Sequence, residues 1–231
     1  MMSNFDLLSQ GLAQLCRDDS GAEKLLAPRR DAVFSLLTRY ILEIEQYNPA
    51  LSLVGTDDRQ ELIVRHILDS LSPLGIISRL LAAGRTVADV GSGAGLPGIP
   101  LAIAIPDAAF TLIERKGRRA GFLRHMQETL GLANVTVEEA EMEKAKPAGR
   151  FALVTFRAFR PLEPKMLKGL FRLCADGGTL AAYKGRREKI EAEIAALEEA
   201  GKQAIARQII PCPVPFLDEE RHIVCLPKQS K

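Results

Sequence analysis

Apolar side chains recur at intervals of three and four residues through the first third of the chain, which is the spacing of one helix face. The pattern predicts helices over residues 1–82, with a break at Asn48-Pro49 and a further helix after the capping-box pair Asp58 and Glu61. The apolar stripe is too continuous to face water. We therefore expect residues 1–82 to pack as an N-terminal helical cap against the rest of the chain.

From residue 83 the pattern changes to short apolar runs that alternate with helical segments, which is typical of a parallel, doubly wound sheet. Five strands are predicted at residues 86–90, 110–114, 134–138, 151–156 and 178–183, with helices at 96–104, 117–130, 161–173 and 187–200. Two further apolar runs, at residues 203–211 and 221–226, have no helix between them and predict an antiparallel hairpin at the sheet's C-terminal edge. The pattern therefore predicts a seven-stranded α/β domain over residues 83–231.

A glycine turn, D-V-G-S-G-A-G-L-P-G, follows the first predicted strand. Its alternating glycines, including Gly91 and Gly93, allow positive φ and let a ligand approach main-chain N–H groups. Asp89 precedes the turn at the carboxyl end of the strand, which is the end that faces the ligand crevice of an α/β sheet. Glu114 ends the next strand, where a carboxylate can accept two hydrogen bonds from a ribose diol. These features predict a nucleoside cofactor, with a turn that binds no ligand as the alternative.

Two cofactors fit this turn. Residues 93–98 match the dinucleotide pattern G-x-G-x-x-G, which alone is a weak signal. The register that starts at Gly91, preceded by Asp89, is the usual turn of S-adenosylmethionine-dependent methyltransferases. A seven-stranded sheet that ends in a reversed hairpin also resembles the Rossmann-like class I methyltransferase fold. The combined pattern favours S-adenosylmethionine over a nicotinamide cofactor.

The composition, 47% hydrophobic and 26% charged, is ordinary for a globular protein. No apolar run approaches the roughly 18–20 residues of a membrane helix, and the N-terminal residues lack the pattern of a secretory signal. The four cysteines have no C-x-x-C spacing, so we expect free thiols in a cytoplasmic protein and no metal site. No large apolar surface is left unexplained, and we therefore expect a monomer.

The formal net charge of +2 does not by itself indicate a nucleic-acid partner. Basic residues nevertheless cluster after the second predicted strand, at residues 115–125, and after the fifth, at residues 184–189. Both clusters lie by topology near the carboxyl edge of the sheet, and a basic rim there suits a polyanionic substrate. Solvated helix faces are the alternative interpretation for each residue.

Longer segments carry a more specific signal than the glycine turn. These segments are residues 47–48, 65–71, 89–101, 116–119 with 122–123, 157–158, 184–185 and 220–222. In them the chain resembles the bacterial small-subunit ribosomal RNA guanine-N7 methyltransferases, also called the glucose-inhibited division protein B family. The sequence L-P-G-I-P at residues 96–100 is far more specific than the glycines alone, and the resemblance extends from about Tyr47 to the end of the chain.

The resemblance implies S-adenosyl-L-methionine as cofactor and 16S rRNA, within the small ribosomal subunit or its assembly intermediate, as partner. Together with the motif, it predicts these cofactor contacts: Asp89, Gly91, Gly93, Leu96, Glu114, Met142, Glu143 and Arg157. Asp89 is expected to face the cationic methionine end, Glu114 the ribose, and Met142 with Glu143 the adenine.

Four positions depart from the family's pattern. The family usually has an arginine where this chain has Glu141 and an aspartate where it has Ala152. It also tends to have Asn and Thr at the positions of Ser52 and Val54. The loss of an acid and a base together has two interpretations, namely a lost structural ion pair or an altered adenine or substrate pocket.

The implied reaction is methyl transfer to guanine N7. That nitrogen has a free lone pair at neutral pH, so positioning can replace general-base catalysis. We therefore assign no catalytic acid or base, and Arg157 is the one candidate near the transferred methyl group, with a structural ion pair as its alternative role. His66, Lys184 and Arg221 are the candidate RNA contacts, although a helix-surface hydrogen bond would explain His66 equally well.

Two other functions fit the same fold. One is an S-adenosylmethionine-binding RNA or ribosome-assembly protein with little activity, which the departures at Glu141 and Ala152 leave open. The other is a methyltransferase that acts on a small molecule, which the basic rim disfavours. Labelled cofactor and small-subunit rRNA would distinguish these alternatives.

Overall fold

A mixed seven-stranded sheet lies at the centre of the protein. The computed structural model describes residues 4–145, 150–157, 163–201 and 204–228. Its strands are β1 (Thr86–Val90), β2 (Ala109–Glu114), β3 (Val135–Glu139), β4 (Phe151–Arg157), β5 (Cys174–Lys184), β6 (Gln208–Pro211) and β7 (His222–Pro227). They lie in the order β3-β2-β1-β4-β5-β7-β6.

The direction of the strands confirms the predicted fold class. Neighbouring strands among β1 to β5 pair in parallel, whereas β7 runs antiparallel to both β5 and β6. The reversed strand β7 therefore lies between β5 and the edge strand β6. The chain progresses outward from β1 in both directions, so the carboxyl ends of β1 and β4 border the crevice at the switch point of the sheet.

Helices cover both faces of the sheet. In the cap they are α1 (Asn4–Asp18), α2 (Ser20–Leu26), α3 (Arg30–Leu51), α4 (Arg59–Leu62), α5 (Asp69–Leu71) and α6 (Leu74–Leu80). Between the strands they are α7 (Gly98–Ala104), α8 (Gly117–Thr129), α9 (Pro164–Leu173) and α10 (Arg187–Gly201). None of the helices within the described ranges is long and apolar enough to cross a membrane.

The cap shares a hydrophobic core with α7 and α8. Tyr40 and Ile67 of the cap are buried in the same apolar cluster as Ile103 of α7 and Leu123 of α8. A second cluster, around Phe156, lies under α9 and α10 on the other face of the sheet. The cap thus packs on one face of the sheet, as its apolar stripe predicts, while the division of the chain at residue 82 stays a prediction.

Pro49 does not break its helix. α3 continues to Leu51 and ends at Ser52, whose N–H donates to the Asn48 carbonyl at 2.8 Å. The predicted break was wrong because a proline in the last turn removes only one backbone hydrogen bond. The Asn48 side chain then fixes the following loop, accepting from the Val54 N–H at 2.9 Å and donating to the Thr56 carbonyl at 3.1 Å.

The helix predicted after Asp58 begins as expected but is not regular. The Asp58 carboxylate caps it by accepting from the Glu61 N–H at 2.8 Å. Between α4 and α5, residues Ile63–Leu68 form a π-helical turn. Such turns occur mostly as single turns inside α-helices, frequently at functional sites. This one carries His66, so the irregular segment coincides with a predicted RNA contact.

Candidate functional site

The glycine turn after β1 has the backbone conformation that the sequence predicts. Gly91, Gly93 and Gly95 all adopt positive φ, of 72°, 58° and 93°. A Cβ at Gly95 would lie 2.4 Å from Ile99, so this glycine is required by packing. A Cβ at Gly93 would meet no described atom closer than 3.8 Å. Side chains therefore pack tightly against the turn at Gly95, whereas the space beside Gly93 is open and lets a ligand approach the backbone.

Leu96 continues this turn into α7 but turns its side chain inward. It is buried in the core that the cap shares with α7 and α8, and its N–H donates to the Ser92 carbonyl at 3.1 Å. Any contact with a ligand would come from its backbone or the edge of its side chain. Its role in cofactor binding stays a prediction.

Asp89 is buried at the start of the turn, with only 1% of its surface exposed. Its Oδ2 accepts from the Gly98 N–H at 3.0 Å, and a Cβ at Gly98 would lie 2.7 Å from that oxygen. Burial raises the pKa of the Asp89 carboxyl to about 6, against the opposing effects of the hydrogen bond from Gly98 and the charge of Arg157. Oδ1 has no hydrogen-bond partner among the described residues. A buried carboxylate oxygen therefore remains available to a donor or a cation.

Glu114 holds the glycine turn from the neighbouring strand. Its Oε2 accepts from the Gly93 N–H at 2.9 Å and its Oε1 from the Lys116 N–H at 2.8 Å. The N–H of Gly93 is therefore already paired with Glu114 in this structure, and the role of Gly93 in cofactor binding stays a prediction. Each carboxylate oxygen retains a lone pair, so Glu114 can still accept from a ribose diol.

The cap contacts the same turn from its outer side. The Tyr40 hydroxyl donates to the Ala94 carbonyl at 2.7 Å and is completely buried. Arg119 of α8 donates to the Ser52 carbonyl, while its buried Nε has no partner among the described residues. The shape of the turn therefore depends on the docked cap, which the sequence did not indicate.

Met142 and Glu143 lie in the loop after β3 but have different surroundings. Met142 is buried, and a Cβ at Gly169 of α9 would lie 2.8 Å from its terminal methyl carbon. Glu143 is exposed and lines, with Arg115, an open surface cavity of about 910 Å³. Their assignment to the adenine side stays a prediction.

Arg157, at the end of β4, joins the sheet to the cap. Its Nη1 donates to Asp69 Oδ2 and to the Arg65 carbonyl, both at 3.1 Å, and its Nη2 donates to His66 Nδ1 at 3.0 Å. Asp69 is 5% exposed, and its Oδ1 accepts from Arg221 Nε at 3.1 Å. Three of the predicted site residues, His66, Arg157 and Arg221, thus meet in one cluster with Asp69 at its centre.

This polar cluster forms one wall of a cleft of about 410 Å³ between the cap and the carboxyl ends of β4 and β5. The cleft is lined by Gly55, Thr56, Glu61, Arg65, His66, Asp69, Ser72, Pro73, Arg157, Tyr183, Lys184, Gly185, Cys212, Arg221 and His222. All three candidate RNA contacts therefore line the same cleft. The sequence could not indicate that Asp69 is shared by Arg157 and Arg221, which are far from it in the chain.

His66 is a neutral imidazole in this cluster. A guanidinium can only donate, so Nδ1 of His66 accepts from Arg157 and the ring proton resides on Nε2. Burial and the positive charge of Arg157 lower the pKa of His66 to about 4. The ring therefore presents a hydrogen-bond donor across the physiological pH range.

The departures from the family's pattern lie outside this cleft. Glu141 forms a surface ion pair of 2.8 Å with Lys144. Ala152 lies five residues before Arg157, near the opposite end of β4, which at the strand rise is about 16 Å away. Ser52 adopts φ of 48°, a left-handed conformation that asparagine accepts more readily than serine. This placement favours a structural role for Ala152 and leaves the surroundings of His66 intact.

The residues of the turn fit the cofactor that the motif predicts. S-adenosylmethionine combines a ribose diol, an adenine and a positively charged sulfonium. Glu114 offers acceptors for the diol, and the unpaired Oδ1 of Asp89 offers negative charge at the carboxyl end of β1. The open backbone above Gly93 provides the approach that a side chain would fill. The fold and the site together define a class I S-adenosylmethionine-dependent methyltransferase.

Comparison with solved structures agrees with this class. The N-methyltransferase NodS from Bradyrhizobium japonicum WM9, crystallised with S-adenosyl-l-homocysteine, has a TM-score of 0.55 at 17% identity, over 80% of this chain and 100% of that one. A SAM-dependent methyltransferase from Aquifex aeolicus has a TM-score of 0.53 at 22% identity, over 74% of this chain and 94% of that one. At these identities the similarity shows the fold.

Sequence comparison identifies the family. The family model for rRNA small subunit methyltransferase G (GidB) matches residues 34–224, and the chain belongs to this family. Ribosomal RNA small subunit methyltransferase G from Cellvibrio japonicus is 38% identical over 212 residues, 92% of this chain and 94% of the relative. The protein of the same name from Stenotrophomonas maltophilia K279a is 39% identical over 217 residues, 94% of this chain and 92% of the relative.

Proposed function

We propose that this protein transfers a methyl group from S-adenosyl-L-methionine to N7 of a guanine in 16S rRNA. The observation that carries the proposal is the position of Arg157, which lies in the cleft and two residues beyond Thr155, the sheet partner of Asp89. Its charge acts on Asp89 beside the glycine turn, and its guanidinium forms one wall of the cleft. A cofactor site and a second, substrate-sized site are therefore adjacent.

The reaction needs orientation more than proton transfer. Bound S-adenosylmethionine would supply an electrophilic methyl group, and guanine N7 has a lone pair that is free at neutral pH. Asp89 and Glu114 would hold the cofactor in the turn, while the cleft walls would hold the base and exclude water. Positioning of this kind can contribute up to about 7–11 kcal/mol to the barrier in favourable cases. No described residue is required as a general base.

The partner follows from the family name and the charge pattern. Arg118 and Arg187 are exposed residues of the two basic clusters and would contact phosphates outside the cleft. We propose that the substrate is the small ribosomal subunit or its assembly intermediate. Among the described residues, Leu42 and Phe216 are the large apolar side chains that are exposed, so little apolar surface is available for self-association. We propose that the protein acts as a monomer in the cytoplasm.

The test is incorporation of labelled methyl groups into unmodified small-subunit rRNA, supplied naked and in 30S particles. Borohydride–aniline cleavage detects N7-methylguanine and locates it. We expect label at one guanine. Cofactor binding by calorimetry without transfer to either RNA form would instead indicate a binding protein, and transfer to small molecules alone would indicate a different substrate class.

A further inference from the structure

The cleft beside Arg157 has the size of a small-ligand site. Its volume of about 410 Å³ lies within the range of roughly 300–1,000 Å³ that is usual for small-molecule pockets. One wall is the π-helical turn of the cap, and the opposite wall consists of the ends of β4 and β5 and the start of β7. A single nucleobase with its sugar can enter such a space, whereas a paired duplex cannot.

The cations inside the cleft are already neutralised. Arg157 and Arg221 share Asp69, with N–O distances of 3.1 Å each. Lys184 Nζ lies 2.8 and 2.9 Å from the two carboxylate oxygens of Glu193. A phosphate placed here would compete with these carboxylates and meet their negative charge. The interior of the cleft therefore suits an uncharged polar ring. The phosphates of the RNA would remain at the edge of the cleft.

His66 supplies this cleft with a donor of fixed orientation. Its Nδ1 is occupied by Arg157, and no described residue hydrogen-bonds to its Nε2. The charged groups that act on the ring are Arg157, Arg65 and Glu61, with Asp69 bound to the same guanidinium. Because Arg157 can only donate to Nδ1, the ring cannot present an acceptor to the cleft without breaking that bond.

The base edges of purines make such a donor selective. On the edge that carries N7, guanine has the acceptor O6, whereas adenine has the N6 amino donor. A base whose N7 faces the cofactor must present this same edge beside N7. A hydrogen-bond donor beside N7 therefore pairs with guanine O6. If adenine entered, the same donor would face the N6 amino group, which is also a donor. An unpaired polar group of this kind is costly, and a site built to pair it discriminates strongly.

We propose that this cleft holds the target guanine, unstacked from the RNA, and that Nε2–H of His66 donates to its O6. His66 is then a specificity-determining residue, and Arg157 a positioning residue that fixes its tautomer. The inference rests on the proposed guanine-N7 methylation and adds the location of the base and the group that identifies it.

The test pairs a change in the base with a change in His66. Once the methylated guanine has been located, RNA fragments are prepared with guanine, 2-aminopurine or inosine at that position. 2-Aminopurine lacks O6 but keeps N7, whereas inosine keeps both atoms. For the wild-type enzyme we expect kcat/KM to fall about 10- to 100-fold with 2-aminopurine and to change little with inosine.

The variant His66→Phe should show the same fall on guanine RNA and almost no further fall on 2-aminopurine RNA. His66→Gln, whose amide nitrogen can reach the position of Nε2, should recover part of the rate. The matched control is His125→Phe, since His125 lies on α8 against Glu43 and outside the cleft. Cofactor affinity and melting temperature are measured for every variant, and we expect His66→Phe to retain cofactor affinity.

The outcomes separate this inference from the proposed function. If the wild-type enzyme methylates guanine and 2-aminopurine RNA at equal rates, the role of O6 is refuted while guanine-N7 methylation stands. The His66–O6 contact would likewise be refuted if the loss of kcat/KM from 2-aminopurine and the loss from His66→Phe multiplied when the two changes were combined. If no RNA is methylated, the proposed function fails and the inference fails with it. The analogue comparison uses wild-type protein and holds even if a variant does not fold.

Discussion

Arg157 donates a hydrogen bond of 3.0 Å to Nδ1 of His66, although the two residues are 91 positions apart in the chain. The contact joins the end of β4 to the π-helical turn of the cap. Asp69 pairs with Arg157 at 3.1 Å. The cap supplies one wall of the cleft, so the cleft exists only while the cap is docked. Its polar residues come from parts of the chain that are far apart in the sequence.

Replacing Arg157 with alanine should reduce turnover on small-subunit rRNA about 100-fold or more, because the charge beside Asp89 and the orientation of His66 are both lost. Steady-state methyl transfer at a temperature where the variant is folded provides the measurement. Asp69 keeps Arg221 as a partner, so we expect unfolding by urea to show a smaller change.

A suitable control for that variant is Arg59→Ala, which removes an ion pair of 2.6 Å with Glu45 within the cap and away from the cleft. It should alter stability without a comparable loss of turnover. Equal losses of activity and stability in Arg157→Ala would assign Arg157 a purely structural role.

The imidazole of His66 should titrate far below its ordinary range. Burial and the charge of Arg157 lower its pKa to about 4, so NMR should show a neutral Nε2–H tautomer at pH 7. In Arg157→Ala the pKa should rise, because a positive neighbour is removed, but remain below 6.5 because the ring stays buried. A charged His66 at neutral pH in the wild-type protein would contradict the geometry.

Gly93→Val should weaken S-adenosylmethionine binding about 100-fold or more, since the side chain would occupy the open backbone approach. Gly131→Val is a matched control. Gly131 has φ of 62° against 58° for Gly93, and its Cβ would also meet no close atom. The two variants therefore carry the same backbone strain, and calorimetry should show a loss of affinity in Gly93→Val alone. Unchanged affinity in Gly93→Val would show that the cofactor binds at another site.

Two buried tyrosines should separate the cofactor and substrate steps. Tyr40 donates to Ala94 in the glycine turn at 2.7 Å, whereas Tyr183 donates to Ser70 beside the cleft at 2.8 Å. Tyr40→Phe should raise the Kd for the cofactor several-fold, and Tyr183→Phe should leave that Kd unchanged. Each lost hydrogen bond should cost about 1–3 kcal/mol of stability, measured by urea unfolding.

Asp89 should make the stability of the ligand-free protein depend on pH. Its pKa is raised to about 6 by burial, from an ordinary value near 3.8, so the folded state binds a proton more tightly than the unfolded chain. The Asp89 contribution to stability should therefore decrease as the pH rises from about 4 to about 6, by roughly 2–3 kcal/mol, while the lowered pKa of His66 gives an opposite contribution over the same range.

Asp89→Asn should remove the Asp89 contribution and leave that of His66, because an amide does not titrate and can still accept from the Gly98 N–H. Urea unfolding of both proteins at several pH values provides the comparison. A wild-type protein whose Asp89-dependent stability increased between pH 4 and pH 6 would show that the carboxyl pKa is lowered instead.

Local patterns predicted most of the sheet because each strand and helix carries its own periodicity. The turn at Gly91 and Gly93 and the carboxyl ends at Asp89 and Glu114 were readable for the same reason, since β1 and β2 are neighbours in the chain and in the sheet. The π-helical turn was missed because one widened turn leaves the apolar spacing nearly unchanged. The continuation of α3 through Pro49 was missed because proline's effect depends on its distance from the helix end.

By itself the sequence determined the class of fold, the family and the residue types at the glycine turn. These depend on backbone conformation and side-chain spacing over short distances. Only the tertiary structure decided that Asp69 joins Arg157 to Arg221, that Arg157 sets the tautomer of His66, and that Tyr40 holds the turn. Such contacts arise where the cap docks on the sheet, and docking depends on the packing of whole surfaces rather than on any local pattern.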